Sequence, residues 1–117
     1  PRGTMGESSL EILKGTLEIL ILKALSRAPN HGYGIARWLK ERSADAFQVE
    51  EGALYPALRR MENRGLLLSD WDVTETGREA KFYRLSEAGE RQLQAAQEEW
   101  TRYVAAMGQV LEEGGQG

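Results

Sequence analysis

Gly52-Ala53-Leu54-Tyr55-Pro56-Ala57-Leu58-Arg59-Arg60-Met61-Glu62-Asn63-Arg64-Gly65 is the stretch on which the reading of this 117-residue chain turns. Wound at about 100° per residue, it gathers Leu54, Ala57, Leu58 and Met61 on one face. Gly52, Pro56, Arg59 and Asn63 fall on the opposite face, flanked by Tyr55, Arg60 and Glu62. A helix with an apolar side toward a body and a small, basic, amide-bearing side outward has the chemistry to enter a DNA major groove. The plainer alternative is an amphipathic helix whose outer face is simply solvated. Gly65 supplies the left-handed cap that ends the helix. Pro56 removes one backbone hydrogen bond and crowds the carbonyl of Gly52, which predicts a helix that starts close enough to Gly52 to leave Pro56 near its first turn.

Upstream, Leu10, Leu13, Leu17, Leu20, Ile21, Ala24 and Leu25 recur at spacings of three and four, one buried stripe of a first helix. It stops before Pro29-Asn30-His31-Gly32, where His31 takes a turn or capping role. A short second helix covers Tyr33 to Arg42, with Ile35, Ala36 and Leu39 inward and Trp38 half-covered by its neighbour. The link that follows offers one short strand at Phe47-Gln48-Val49. Downstream, Leu66 to Val73 and Ala80 to Leu85 are β-prone runs around Thr74 to Glu79, a hairpin with Arg78 at its tip, Lys81 just beyond and Trp71 packed at its base. Ser86 then caps a long last helix running to about Glu113, with Glu87 and Glu90 at its positive end. Leu93, Trp100 and Met107 recur every seven residues, as do Ala96, Tyr103 and Val110, and Val104 with Leu111. So long a stripe in so short a chain calls for a second copy of itself.

Length allows one domain and one modest core. The net charge of -3 is unevenly spread: residues 86 to 117 carry -4 and the rest +1. An acidic tail weakens the electrostatic argument for DNA without removing it, because phosphate is bound by a local basic face. Pro1 to Thr4 read as a remnant of an expression vector, with Met5 as the native start. With no cysteine, no secretory h-region and no apolar run near the roughly 20 residues of a membrane span, a cytoplasmic protein without membrane contact is expected. A lone histidine leaves no Cys/His pair and no usual zinc set. The paired glutamates, adjacent along the chain, point apart. An enzyme is not expected, and no cofactor or metal is either.

Read in order, Gly15-Thr16-Leu17-Glu18-Ile19-Leu20, His31-Gly32-Tyr33-Gly34-Ile35, Gly52 through Glu62, Gly65-Leu66-Leu67 and Lys81-Phe82-Tyr83-Arg84-Leu85-Ser86-Glu87-Ala88-Gly89 resemble the PadR family over about Leu10 to Leu93. The tail, a single helix, is similar to the compact branch of that family. The resemblance implies a mainly α winged helix-turn-helix over residues 10–85, a dimerisation helix over 86–113 and a flexible end at 114–117. It implies a homodimeric repressor that releases an inverted-repeat operator of double-stranded DNA when a small hydrophobic or aromatic effector binds. Gly52, Tyr55, Arg59, Arg60 and Asn63 would meet the operator, with Arg78 and Lys81 of the wing along the backbone. Leu93, Ala96, Trp100, Tyr103, Val104, Met107 and Leu111 would form the seam, the last helix of one subunit lying against the first helix and body of the other.

Several residues keep two readings. Tyr55 serves either a DNA contact or a partly buried ring near the helix start, and Arg78 and Lys81 serve wing contact or plain solvation. Trp100 fits seam packing and, by the resemblance to drug-sensing relatives, a ligand platform. Glu75 and Glu79 make the wing acidic, a departure from strongly basic wings. The competing function is a winged helix that binds another protein and not DNA.

Overall fold

The computed structural model describes residues 10–13 and 15–112. They form α1 (Leu17–Leu25), β1 (Asn30–His31), α2 (Gly32–Arg42), α3 (Glu51–Asn63), β2 (Leu67–Val73), β3 (Glu79–Leu85) and α4 (Glu87–Leu111). The apolar stripes of the first three helices converge. Ile21 and Leu22 of α1, Ile35 of α2, and Leu54, Leu58 and Met61 of α3 are almost inaccessible, together with Leu67 at the root of the hairpin. Each such side chain contributes about 1.5–3 kcal/mol of apolar burial. This shared core fixes the angle at which α3 leaves the body. No helix of the described residues is long and apolar enough to cross a membrane.

Three local expectations need correction. The first helix begins at Leu17, not near Leu10, because Gly15 takes a positive φ of 87° that no helix continues through. Leu10 is therefore off the helical stripe, pinned by its N–H to the Ala46 carbonyl. Phe47 to Val49 form no strand. The short strand lies instead at Asn30–His31, which pairs with Tyr83 and Phe82 on the free edge of β3, giving an antiparallel sheet of order β1-β3-β2. Pro56 lies in the second turn of α3, since the helix already starts at Glu51. The carbonyl it frees belongs to exposed Gly52, where water can satisfy it.

Gly65 closes α3 as read from sequence. Its φ is 80°, its N–H reaches the Glu62 carbonyl at 3.0 Å, and the Leu66 N–H reaches Met61 at 3.0 Å, the paired bonds of a Schellman end. The chain then enters the hairpin, in register from Leu67 opposite Leu85 to Val73 opposite Glu79. The tip is closed by the Thr74 N–H to the Arg78 carbonyl at 2.8 Å. At the far end Ser86 caps α4, its Oγ accepting from the Gly89 N–H at 3.0 Å and donating to the Gly65 carbonyl at 2.6 Å.

Gly89 presses against the hairpin root so closely that a Cβ there would run into the Leu66 backbone carbonyl. A Gly89→Ala variant is expected to lose about 1–3 kcal/mol, the usual penalty of overpacking, read as a lower denaturant midpoint with unchanged slope. An unchanged midpoint would mean that this junction has slack.

Beyond that junction α4 leaves the body. Leu93 is buried and Ala96 half-buried within the chain's own fold, whereas every residue from Gln97 to Leu111 is exposed. The 25-residue helix is about 37 Å long at 1.5 Å per residue, and it accounts for the elongated 57 × 39 × 21 Å envelope. Glu113 and residues 114–117, like Pro1 to Thr4, lie outside the described residues.

Candidate nucleic-acid interface

The outer face of α3 is built as its periodicity predicts. Leu54, Ala57, Leu58 and Met61 are at most 1% exposed, so the helix cannot rotate without emptying the core. That locks Gly52, Pro56, Arg59, Arg60 and Asn63 outward, all exposed. Neither Arg59 nor Arg60 has a carboxylate within 4 Å among the described residues. At Gly52 an added Cβ would meet nothing within 4 Å among the described residues, so local packing does not demand glycine at that position.

Tyr55 is the partly buried ring near the helix start that one of its two readings expects. The residue is 40% exposed, yet its ring lies on the backbone of Gly32 at the start of α2, where a Cβ would stand 2.7 Å from the hydroxyl. Burial, then the nearby charge of Glu51 and then Tyr83, push the phenol above its ordinary value. It stays a neutral hydrogen-bond donor at any physiological pH.

The C-terminal end of α3 is tied down by two ion pairs. Arg64 Nη1 donates to both carboxylate oxygens of Glu18 on α1 at 3.0 Å. Glu62 accepts from Ser69 Oγ at 2.6 Å and meets Lys81 Nζ at 3.2 Å, which joins α3 to both strands of the hairpin. The Ser69 hydrogen bond, the largest effect, outweighs burial and, with Lys81 adding to it, holds the Glu62 carboxyl below the usual carboxylate range.

Lys81, just beyond the wing tip, is therefore paired within the chain and not simply solvated. Its charge is spent on Glu62, and its ammonium also lies 5.6 Å from the Tyr83 ring centroid. Arg78 is exposed at the tip, without such a partner among the described residues. Trp71 corrects another expectation: it is not packed at the base of the hairpin but 70% exposed. Leu67, Ser69, Trp71 and Val73 share one face of β2, and that face passes from buried to exposed as the hairpin outgrows the body. Trp38, in contrast, is partly buried against the core. His31 accepts the Gly34 N–H at Nδ1 over 3.0 Å, the capping role read from its place before Gly32.

On α4, Trp100 and Tyr103 stack at 5.8 Å between centroids. Val104, Met107, Val110 and Leu111 extend this apolar surface, all exposed. Beside the start of α3 lies an open groove of about 740 Å³ lined by Leu10, Leu13, Leu17, Val49 and Ala53 among others.

Three helices, a hairpin laid against them and a trailing helix are the winged-helix arrangement, and the profile of the "Transcriptional regulator PadR-like family" matches residues 21–95. The chain belongs to the PadR-like family of transcriptional regulators. Among solved structures, this PadR-like chain is similar to a PadR family transcriptional regulator of Eggerthella lenta, with 34% identity, a TM-score of 0.73, and 86% of this chain and 85% of that one covered. It is also similar to a PadR family transcription regulator of Clostridium difficile, with 32% identity, a TM-score of 0.73 and coverage of 83% and 99%. The negative transcriptional regulator PadR of Bacillus subtilis is 26% identical over 77 residues, which cover 66% of this chain and 42% of that protein. The match thus spans less than half of that relative's length.

Proposed function

We propose that this PadR-like regulator is a homodimeric repressor that binds an inverted-repeat operator and is released by a small hydrophobic or aromatic molecule. The observation that carries the reading is the outer face of α3: Arg59 and Arg60, unpaired among the described residues, on a helix that four buried residues hold in one orientation. Arginine reads guanine through a bidentate contact and holds phosphate equally well. Bare Gly52 lets the backbone approach a groove closely, and Tyr55 and Asn63 add neutral donors on either side. Arg78, exposed at the tip of the wing, would follow the DNA backbone. The Bacillus subtilis relative, named a negative regulator, supports repression.

Dimerisation follows from α4. Its exposed Trp100, Tyr103, Val104, Met107 and Leu111 form an apolar strip of a size that monomeric proteins seldom leave in water. A second copy buries it, the partner's α4 running along α1 and the groove beside α3, while Leu93 and Ala96 anchor each helix to its own body. Footprinting of the region upstream of the protein's own gene tests this arrangement. Two protected half-sites are expected, with centres about 10–10.5 bp or a multiple of it apart; a single unpaired footprint would contradict the dimeric reading.

The effector reading rests on the Trp100–Tyr103 stack, which offers a flat aromatic face inside the proposed seam. Flat aromatic compounds are expected to quench tryptophan emission and to weaken DNA binding, and a Trp100→Ala variant should lose most of both responses. Full quenching in that variant would place the ligand elsewhere. One observation favours a protein partner instead of DNA: the wing holds Asp70, Asp72, Glu75 and Glu79, and one of its three cations is already bound to Glu62. Loss of all salt-sensitive DNA binding would decide for that partner.

A further inference from the structure

Arg59 and Glu62 stand three residues apart on α3, the spacing at which an arginine and a carboxylate of one helix meet and pair. They do not pair here: Arg59 has no carboxylate within 4 Å among the described residues. Glu62 is turned to the hairpin instead. Its Oε2 accepts from Ser69 Oγ on β2 at 2.6 Å, and its Oε1 lies 3.2 Å from Lys81 Nζ on β3. Each strand thus holds one carboxylate oxygen.

The two groups that hold Glu62 come from one face of the hairpin. Ser69 is opposite Tyr83 in the register and Trp71 is opposite Lys81, so all four side chains share that face. Lys81 is steadied further by the Tyr83 ring, 5.6 Å from its ammonium. With both oxygens engaged in charge-assisted contacts, the carboxylate is kept off Arg59, whose planar N–H fork stays open to a ligand. A released Glu62 would act in the opposite sense. It would cover the guanidinium at its helical neighbour and set a negative charge beside phosphate, where like charge is costly.

We propose that Ser69 and Lys81 are positioning residues for DNA recognition, which withhold Glu62 from Arg59 and so keep that arginine open to the operator. The inference rests on the DNA-binding reading above. It gives the base of the wing a part in recognition that needs no contact with DNA, and it accounts for a wing lysine whose charge is consumed inside the chain.

The test is fluorescence anisotropy at one fixed salt concentration on a duplex from upstream of the protein's own gene, with thermal melts to establish that each protein is folded. Four proteins are compared: wild type, a Ser69→Ala, Lys81→Met double variant, Glu62→Gln, and the triple variant that combines all three changes. The double variant should bind roughly 2- to 5-fold more weakly, the range set by one exposed ion pair, because Glu62 then falls back on Arg59. Glu62→Gln alone should bind at least as tightly as wild type. The triple variant should recover wild-type affinity although Lys81 is still missing. An unchanged affinity in the double variant would overturn the proposal. Equal weakness in the double and triple variants would overturn it as well, by placing the loss in a phosphate contact of Lys81 or in a loosened wing. Weaker binding by Glu62→Gln alone would make the junction a structural strut and have the same consequence. Failure of wild type itself to bind the duplex would remove the DNA reading and this inference with it.

Discussion

A Val104→Glu, Met107→Glu variant is expected to sediment as a monomer and to bind operator DNA about 10²- to 10⁴-fold more weakly than wild type, the range lost when two linked contacts become one. Both side chains are exposed on the stretch of α4 beyond Ala96, so the three-helix core, the hairpin and the α4 anchor at Leu93 remain as they are. In the proposed seam the same two positions face a second copy. Each dimer would then hold four new carboxylates in a neighbourhood that already carries Glu98 and Glu99, and burying an unpaired charge costs several kcal/mol. Sedimentation equilibrium and anisotropy on the same samples check the two halves of the prediction. A variant that remains dimeric would move the seam away from α4, and a monomer with unimpaired affinity would separate dimerisation from DNA binding.

The second large effect is expected at Arg59 and Arg60. One is assigned to a guanine edge and the other to phosphate, and the two alanine variants should differ in kind. Losing a bidentate base contact costs about 1–3 kcal/mol, or roughly 5- to 150-fold, and relaxes specificity at one base pair. Losing a phosphate contact weakens binding evenly across sequences and reduces the salt slope by about 1. Neither substitution should lower stability appreciably, since both side chains are exposed and outside the ion pairs that fasten α3. Competition titrations with single-base operator variants separate the two cases. Unchanged operator affinity in both alanine variants would show that the outer face of α3 is only solvated.

Much of this architecture can be read from the residues alone, because it depends on local periodicity and on end signals. The four buried positions of α3, the left-handed Gly65 and the Ser86 cap all follow from spacing and residue type, and they are what orient the candidate interface. Other features depend on contacts that spacing does not encode. The two-residue β1 has no pattern of its own and exists because β3 leaves an edge free beside Asn30 and His31. Leu10 and Leu13 keep helical spacing with Leu17, yet the backbone at Gly15 breaks the helix between them.

The candidate site divides along the same line. Lys81 looks like a wing cation until the fold brings Glu62 to it from the preceding helix, and Trp71 looks like a packing residue until the length of the hairpin carries it past the body.

Operator recognition by α3 is tested by a binding titration of the purified chain on DNA from upstream of its own gene, at two salt concentrations and with nonspecific competitor. A discrete complex that resists competitor and weakens steeply with salt is the predicted result; no complex at the lower salt, or one that competitor removes completely, would contradict it.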